Sequence, residues 1–136
     1  MSSQDSAARE LRGVAPILLV TDVLRAAKYY VDALGFSVPR MWGNPPTFCT
    51  ARRDELVVML NQVPKGTAFH PNAAYDGRYD AYFYVRNADA LFAEFRKRGA
   101  DIAAVPEDQP YAMREFSVRD PDGHLLAFGH DVSVHR

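Results

Sequence analysis

Short apolar stretches alternate along the chain with longer stretches of helical periodicity. Residues 13–20, GVAPILLV, are apolar and partly β-branched, which predicts a buried strand. Asp22 then stands where a helix N-cap belongs, and apolar residues recur at helical spacing until Gly35, a typical C-terminal stop. Three further strands, separated by turn-forming residues, are predicted at residues 36–42, 47–52 and 55–62. The first half therefore predicts a strand, a helix and a three-stranded meander.

The second half of the chain repeats this order. Residues 79–85, YDAYFYV, predict a strand, and the next stretch has an Asn87 cap, an apolar helical stripe and a Gly99 stop. Three strands follow, the last two joined by a DPDG turn, at residues 102–106, 113–118 and 125–130. Two βαβββ repeats are therefore predicted at residues 13–62 and 79–130, with a polar linker over residues 63–78.

The predicted fold class is α+β. One repeat alone leaves its sheet covered on one side only, so two repeats together are expected to form curled mixed sheets around a cup-shaped cavity, with the helices outside. We expect a single domain over residues 12–132, preceded by a disordered tail at residues 1–11.

Composition narrows the classes of partner. The 136 residues are 48% hydrophobic, enough for a core of their own. The net charge is -1 and the longest basic run is Arg96-Lys97-Arg98, so no nucleic-acid surface is expected. The N-terminal residues lack the apolar run of a signal peptide, and no segment is apolar enough for a membrane span. Because Cys49 is the only cysteine, an internal disulfide is excluded, and we expect a soluble cytoplasmic protein.

Two segments of the chain carry a family resemblance. GVAPILLVTDVLRAAKYYVDALGF resembles the opening of the glyoxalase, bleomycin-resistance and extradiol-dioxygenase superfamily, the vicinal oxygen chelate proteins, and EFSVRDPDGHLLAFG resembles its closing hairpin. The segment DAYFYVRNADALFAEFRKRGA is a weaker match between them. The resemblance implies paired βαβββ units, commonly assembled as a dimer with a cavity in each curled sheet.

The resemblance also implies where a metal would bind. Metal-dependent members of the superfamily take His, Gln or Glu ligands from the first strand, from the strand that opens the second repeat and from the final strand. The corresponding positions here are Ala15, Asp80 and Ala127. Because methyl side chains offer no lone pair and one carboxylate is too few donors, we expect no metal site and no other cofactor.

The remaining polar candidates have simpler explanations than metal binding. His124 directly follows the DPDG glycine and is expected to lean out at the hairpin rim, whereas His130 is expected on the strand face opposite to Ala127. Asp80 is more simply solvated or paired with an arginine. His70 lies in the linker, either at the mouth of a pocket or only on a loop.

The orientation of Glu115 depends on the turn that precedes the last strand. A four-residue turn would pair Phe116 with Ala127 and direct Glu115 toward the helices or a subunit contact, whereas a bulge would direct it into the cup. If Glu115 is buried it needs a cation, and Arg114 and Arg119 are its neighbours in sequence. An ordinary ion pair is the simpler prediction, and a general-base role is the alternative.

Aromatic residues provide the predicted cavity lining. The phenylalanines assigned to the core are Phe83, Phe92, Phe95, Phe116 and Phe128. Tryptophan and tyrosine join a flat apolar face to a hydrogen-bonding tip, which suits planar, partly apolar ligands. The predicted ligand-binding residues are Trp42, Phe48, Tyr82, Tyr84, Tyr111 and Glu115.

Two classes of function follow from these residues. The first, which resembles the role of bleomycin-resistance proteins, is a metal-free dimer that sequesters an aromatic or amphipathic small molecule and performs no chemistry. The alternative is a divalent-metal-dependent glyoxalase-like or dioxygenase-like enzyme with non-standard ligands. A lesser option is a metal-free lyase or isomerase with Glu115 or Asp80 as base. No phosphate loop, nucleophile elbow or HExxH motif is present, so no catalytic residue is assigned.

Overall fold

A computed structural model describes residues 9–133, and the first half of this range forms a four-stranded sheet with one helix against it. Its elements are β1 (Ile17–Val20), α1 (Val23–Asp32), β2 (Ser37–Gly43), β3 (Pro46–Arg53) and β4 (Leu56–Gln62). The strand order is β1-β4-β3-β2, with β1 parallel to β4 and the other pairs antiparallel. We call this the first sheet.

The second half has the same arrangement. Its elements are β5 (Ala81–Tyr84), α2 (Ala88–Arg98), β6 (Asp101–Asp108), β7 (Met113–Arg119) and β8 (Leu125–Asp131). They form the second sheet, ordered β5-β8-β7-β6, in which β5 is parallel to β8. The α+β fold of two βαβββ repeats is therefore confirmed. The linker contains a short 3₁₀ helix at Asn72–Ala74. Most of the predicted tail, residues 1–8, lies outside the described residues.

Polar caps and glycines set the ends of both helices where the sequence predicts them. The Asp22 carboxylate accepts hydrogen bonds from two backbone N–H groups of the first turn of α1, and the Asn87 side chain accepts one in α2. Gly35 and Gly99 follow the helices with positive φ angles of 72° and 88°. This left-handed conformation lets the next residue bond back to the last helical turn.

A single apolar core joins the two halves. The helix-facing residues of both sheets and the buried faces of both helices belong to one cluster. At its centre the Tyr30 hydroxyl of α1 donates a 2.9 Å hydrogen bond to the Asp120 carboxylate in the second half. Phe36 and Phe83 make an edge-to-face contact across the same seam. The helix-covered sides of the sheets therefore form the core.

The side of each sheet that carries no helix is called its open face. In β1, Leu18 and Val20 point into the core, whereas Ile17 is 59% exposed and Leu19 lies on the same open side. Strand alternation thus separates structural from surface-lining residues. Within residues 9–133, none of the helices is both long and apolar enough to cross a bilayer.

Candidate functional site

The register of β7 and β8 decides the direction of Glu115. Glu115 pairs with Gly129, and Ser117 pairs with Ala127. Residues directly opposite in an antiparallel pair share a face, so Glu115 lies on the open face of the second sheet with Ala127. Phe116 takes the opposite face and packs in the core. Of the two orientations that the sequence leaves open, the one toward the open face is correct.

Glu115 is held by the hydroxyl groups of tyrosines. The residue is only 2% exposed. The Tyr82 hydroxyl donates a 2.8 Å hydrogen bond to Oε1, and the Tyr79 hydroxyl donates to Oε2. Burial, followed by these bonds to the carboxylate, raises the pKa of both phenols above the usual value. Burial and the same carboxylate raise the pKa of Tyr111 to about 12. These phenols are therefore neutral hydrogen-bond donors at physiological pH.

Small residues on β8 make the Tyr82 bond to Glu115 possible. Tyr82 lies on β5 and Glu115 on β7, with β8 between them. The two side chains therefore reach toward each other across strands that are roughly 10 Å apart. The β8 residues on this face are Ala127 and Gly129. A Cβ on Gly129 would overlap the Tyr82 hydroxyl oxygen and lie 3.0 Å from the Glu115 Cβ. The phenol thus crosses β8 over a glycine, and any larger residue at this position would force the ring to move.

The predicted ion pair between Glu115 and a neighbouring arginine is wrong. The two guanidinium groups bind other carboxylates: Arg114 those of Asp89 at 2.9 Å and Asp108 at 3.1 Å, and Arg119 that of Asp101 at 3.5 Å. Among residues 9–133, no basic side chain forms an ion pair with Glu115. The buried carboxylate is satisfied by neutral donors alone, which solvate its charge without neutralising it.

The residues at the three metal positions of the superfamily do not fit a metal ion. Asp80, predicted to be solvated or paired with an arginine, instead accepts backbone N–H groups from Asn72 at 2.6 Å, Ala73 at 3.4 Å and Leu125 at 2.8 Å. Its oxygens fix the linker to the start of β8. Ala127 is fully buried, and Ala15 precedes β1 in the other sheet. In the described part of the chain, no three His, Cys, Asp or Glu residues are grouped so as to hold a metal ion.

The prediction that His124 leans out is wrong, because His124 is only 3% exposed. The Asp120 carboxylate turns inward and accepts the backbone N–H groups of Asp122 and His124, so the turn carries the imidazole inward as well. His124 Nδ1 lies 2.8 Å from Asp120 Oδ2. Burial opposes the charged imidazolium, but the bond to Asp120 and its negative charge outweigh burial and raise the pKa of His124. His124 is therefore structural.

His130 lies on the face of β8 that the sequence predicts. His130 Nδ1 accepts the backbone N–H of Ala88 at the start of α2, on the opposite side of β8 from Ala127. Cys49 is fully buried, and burial raises the pKa of its thiol. His70 is exposed in the linker. None of these side chains approaches Glu115 through a hydrogen bond or ion pair among the described residues.

The predicted aromatic lining is divided between the two sheets. Trp42 and Phe48 pair across β2 and β3 on the open face of the first sheet, with ring centroids 5.3 Å apart. Trp42 is 37% exposed, and the Arg40 guanidinium lies 4.7 Å from the centre of its ring. Tyr82 and Tyr84, also 5.3 Å apart, lie on the open face of the second sheet. The lining therefore forms two groups of rings.

The linker covers part of the open face of the second sheet. A cavity of about 370 Å³ lies between the linker residue Ala73, Tyr79 just before β5, and the sheet residues Ala104 and Ser117. Tyr79 lines this cavity and also bonds to Glu115, so it connects the cavity to the buried carboxylate. Sequence reasoning assigned no site role to Tyr79 or Gly129. Their signal is weak, because a tyrosine at the start of a predicted strand and a glycine within a strand gain significance only from the strand order.

A larger cleft of about 650 Å³ lies at the seam between the two halves. Its lining includes Phe36, Phe83 and Phe95, together with the bidentate pair in which Arg53 donates two 2.8 Å bonds to Glu94. These charges satisfy each other, whereas Glu115 forms no ion pair with any residue of the described range 9–133. We therefore place the candidate site on the open face of the second sheet.

Comparisons with known proteins agree with this architecture. A family model described as Glyoxalase/Bleomycin resistance protein/Dioxygenase superfamily matches residues 13–128. No curated protein sequence matches the chain significantly. Among solved structures, TioX from Micromonospora sp. ML1 is 22% identical with a TM-score of 0.69, over 88% of this chain and 98% of TioX.

Two further solved structures show the range of the family. The bleomycin-binding protein from bleomycin-producing Streptomyces verticillus, complexed with copper(II)-bleomycin, is 25% identical with a TM-score of 0.67, over 88% of this chain and 95% of that one. A glyoxalase-related enzyme from Clostridium phytofermentans is 17% identical with a TM-score of 0.71, over 90% of this chain and 96% of that one. The chain belongs to the Glyoxalase/Bleomycin resistance protein/Dioxygenase superfamily.

Proposed function

We propose that this chain binds an aromatic or amphipathic small molecule on the open faces of its sheets, without a metal ion and without catalysing a reaction. The observation that carries the proposal is that the open face of the second sheet has tyrosine rings but lacks the metal-donor side chains of the superfamily. The side chains of Ala15 and Ala127 have no lone pairs, the Asp80 oxygens accept backbone N–H groups, and tyrosines occupy the same open face as Ala127. Such a surface can bury and stack a ligand but offers little for chemistry.

The two open faces complement the two ends of an amphipathic molecule. The first sheet presents Ile17, Leu19 and Trp42, all exposed apolar side chains. The second presents phenol groups around a carboxylate. Burying about 300 Å² of apolar ligand surface contributes roughly 7 kcal/mol at ~25 cal/mol per Å², before ordering costs are subtracted. Hydrophobic burial on one face and polar contacts on the other would give both affinity and orientation.

A second copy of the chain completes the site in this proposal. The open face of the first sheet exposes the apolar side chains of Ile17, Leu19 and Trp42, and exposed apolar patches are typical of interaction sites. Strands β1 and β5 are each at the end of a sheet, with one free edge in the described residues. A homodimer that brings open faces together would enclose the ligand, and the protein would act in the cytoplasm.

The bleomycin-binding protein of Streptomyces verticillus supports a binding role. It has the same fold, and its structure contains copper(II)-bleomycin. The copper in that structure belongs to the bound copper(II)-bleomycin, so it implies no metal site in this chain. The alternative, an enzyme with a protein-bound divalent metal, requires donors that the three superfamily positions do not offer.

Metal analysis of the purified protein separates the two functions. We expect less than one tenth of an equivalent of zinc, nickel, iron or manganese per chain, and a thermal midpoint that chelation leaves unchanged. Planar aromatic compounds should raise the midpoint by mass action. A near-stoichiometric metal whose removal abolishes a ligand-dependent activity would refute the proposal.

Substitution of Trp42 tests whether the open face of the first sheet binds the ligand. Trp42→Ala removes an exposed ring from the first sheet and should weaken binding of a stacking arene by about 1–3 kcal/mol. Leu24→Ala is the matched control, because Leu24 is an exposed apolar residue on α1. Isothermal titration of both variants provides the affinities. Equal affinity of wild type and Trp42→Ala would remove Trp42 from the site.

A further inference from the structure

The charge of Glu115 is unusual in its surroundings. A buried carboxylate normally has a cationic partner, because hydrogen bonds to neutral groups solvate a charge but do not cancel it. Glu115 is 2% exposed and accepts from Tyr79 and Tyr82, while Arg114 and Arg119 bind other carboxylates. The open face therefore carries a negative charge that no described residue neutralises by an ion pair.

A second carboxylate reinforces this negative potential. Glu107 on β6 is directly opposite Glu115 in the register of β6 and β7. Like charges at opposed positions repel each other, so the pair is a cost to the protein alone. Glu107 is exposed, and water screens its charge more than that of Glu115. A positive ligand placed near both would relieve the repulsion.

The tyrosine rings around Glu115 can hold a cation. The centroids of Tyr79 and Tyr82 are 6.0 Å apart, and those of Tyr82 and Tyr84 are 5.3 Å apart. A phenol that donates its proton to a carboxylate gains electron density in its ring, which strengthens the attraction of the ring face for a cation. The tyrosine rings and the carboxylate of Glu115 therefore both attract a cation.

We infer that the open face of the second sheet selects a positively charged ligand group, an alkylated ammonium carried by an aromatic or amphipathic molecule. The ammonium lies against the faces of the tyrosines, within the field of Glu115. The inference rests on the proposed function, since it names the charge of the ligand that the open faces bind. A strongly hydrated anion is disfavoured at the same place, because the carboxylate repels it.

Three probes of similar size and different charge test this inference on the full chain: benzyltrimethylammonium, neutral N,N-dimethylbenzamide and anionic benzenesulfonate. NMR titration should show the cation binding about tenfold tighter than the amide, and the sulfonate weakest. Glu115→Gln should remove most of the tenfold preference while changing amide binding by less than about twofold. Glu55→Gln, the same charge change at an exposed turn of the first sheet, is the control and should change neither affinity.

The outcomes distinguish this inference from the proposed function. If the amide binds as tightly as the cation, the charge inference is overturned and the binding proposal stands. If none of the three probes binds, both are overturned. If Glu115→Gln does not fold, Tyr84→Leu decides, because Tyr84 is 79% exposed and its loss leaves the core intact. Weaker binding of the cation alone would then support the inference, and unchanged binding would refute it.

Discussion

Adding one methyl group to β8 should break the contact between Tyr82 and Glu115. In Gly129→Ala the new Cβ would overlap the Tyr82 hydroxyl oxygen and lie 3.1 Å from the Tyr82 Cζ. The φ angle of Gly129 is not positive, so the alanine backbone itself is unstrained. The ring must either stay and strain the sheet or withdraw and give up the bond to the carboxylate.

Opposing contributions determine the size of the effect. Replacing a strand glycine by alanine stabilises by roughly 0.5–1 kcal/mol through the unfolded chain. Overpacking costs roughly 1–3 kcal/mol if Tyr82 stays. Loss of a hydrogen bond to a charged group costs roughly 1.5–3 kcal/mol if Tyr82 withdraws. Since either route outweighs the gain, we expect a net loss of about 1–2 kcal/mol in the free energy of unfolding.

A double-mutant cycle with Tyr82→Phe isolates the contact. The phenylalanine has no hydroxyl to overlap the new methyl group and no bond to lose, so Gly129→Ala should then cost less than about 0.5 kcal/mol. Urea unfolding followed by circular dichroism measures all four proteins. Gly13→Ala is the control, because nothing lies within 4 Å of a Cβ built there. A coupling energy below about 0.5 kcal/mol would show that the reasoning about β8 is incorrect.

Two further substitutions test the contacts made by the carboxylates of Asp120 and Asp80. The pKa of His124 is raised above 6.5 by Asp120. The stability that His124 adds relative to His124→Asn should therefore be complete below about pH 6.5 and should decline as the pH rises through the folded-state pKa; an advantage constant from about pH 5.5 to 9 would contradict this. Asp80→Ala leaves three backbone N–H groups without their acceptor and should cost about 2 kcal/mol in urea unfolding. The loss should be the same with and without a chelator, and a chelator-dependent loss would point to a metal at Asp80.

The elements of the fold could be predicted because local signals agree with it. Asp22 and Asn87 cap helices, and Gly35 and Gly99 end them, as their residue types predict. The alternation of apolar residues then gives the helix-facing side of each strand. The repeated order of elements is also visible, because both halves use the same kinds of cap and stop.

The direction of Glu115 and His124 could not be predicted, because both depend on the geometry of one turn. Asp120 folds back on the N–H groups of Asp122 and His124, which turns the histidine inward and sets the register of β7 against β8. A turn with the same residues and one extra or missing position would reverse every side chain of the strand. The partner of Glu115 could not be predicted either, because Arg114 lies on the opposite face of β7 and Arg119, on the same face as Glu115, binds Asp101 instead.

The lack of a metal ligand at position 127 and the hydrogen bond between Tyr82 and Glu115 both follow from the small residues on β8. A ligand of His or Glu type at position 127 would place a long side chain on β8, beside the path by which Tyr82 crosses from β5 to β7. Ala127 and Gly129 together leave that path open, and the Tyr82 hydroxyl then reaches Glu115. The same small residues that deprive the face of a metal donor thus allow a phenol to bind a carboxylate there. Restoring a donor alone, as in Ala127→Glu, should therefore displace Tyr82 before it creates a metal site, because two of the three positions would still lack free donors.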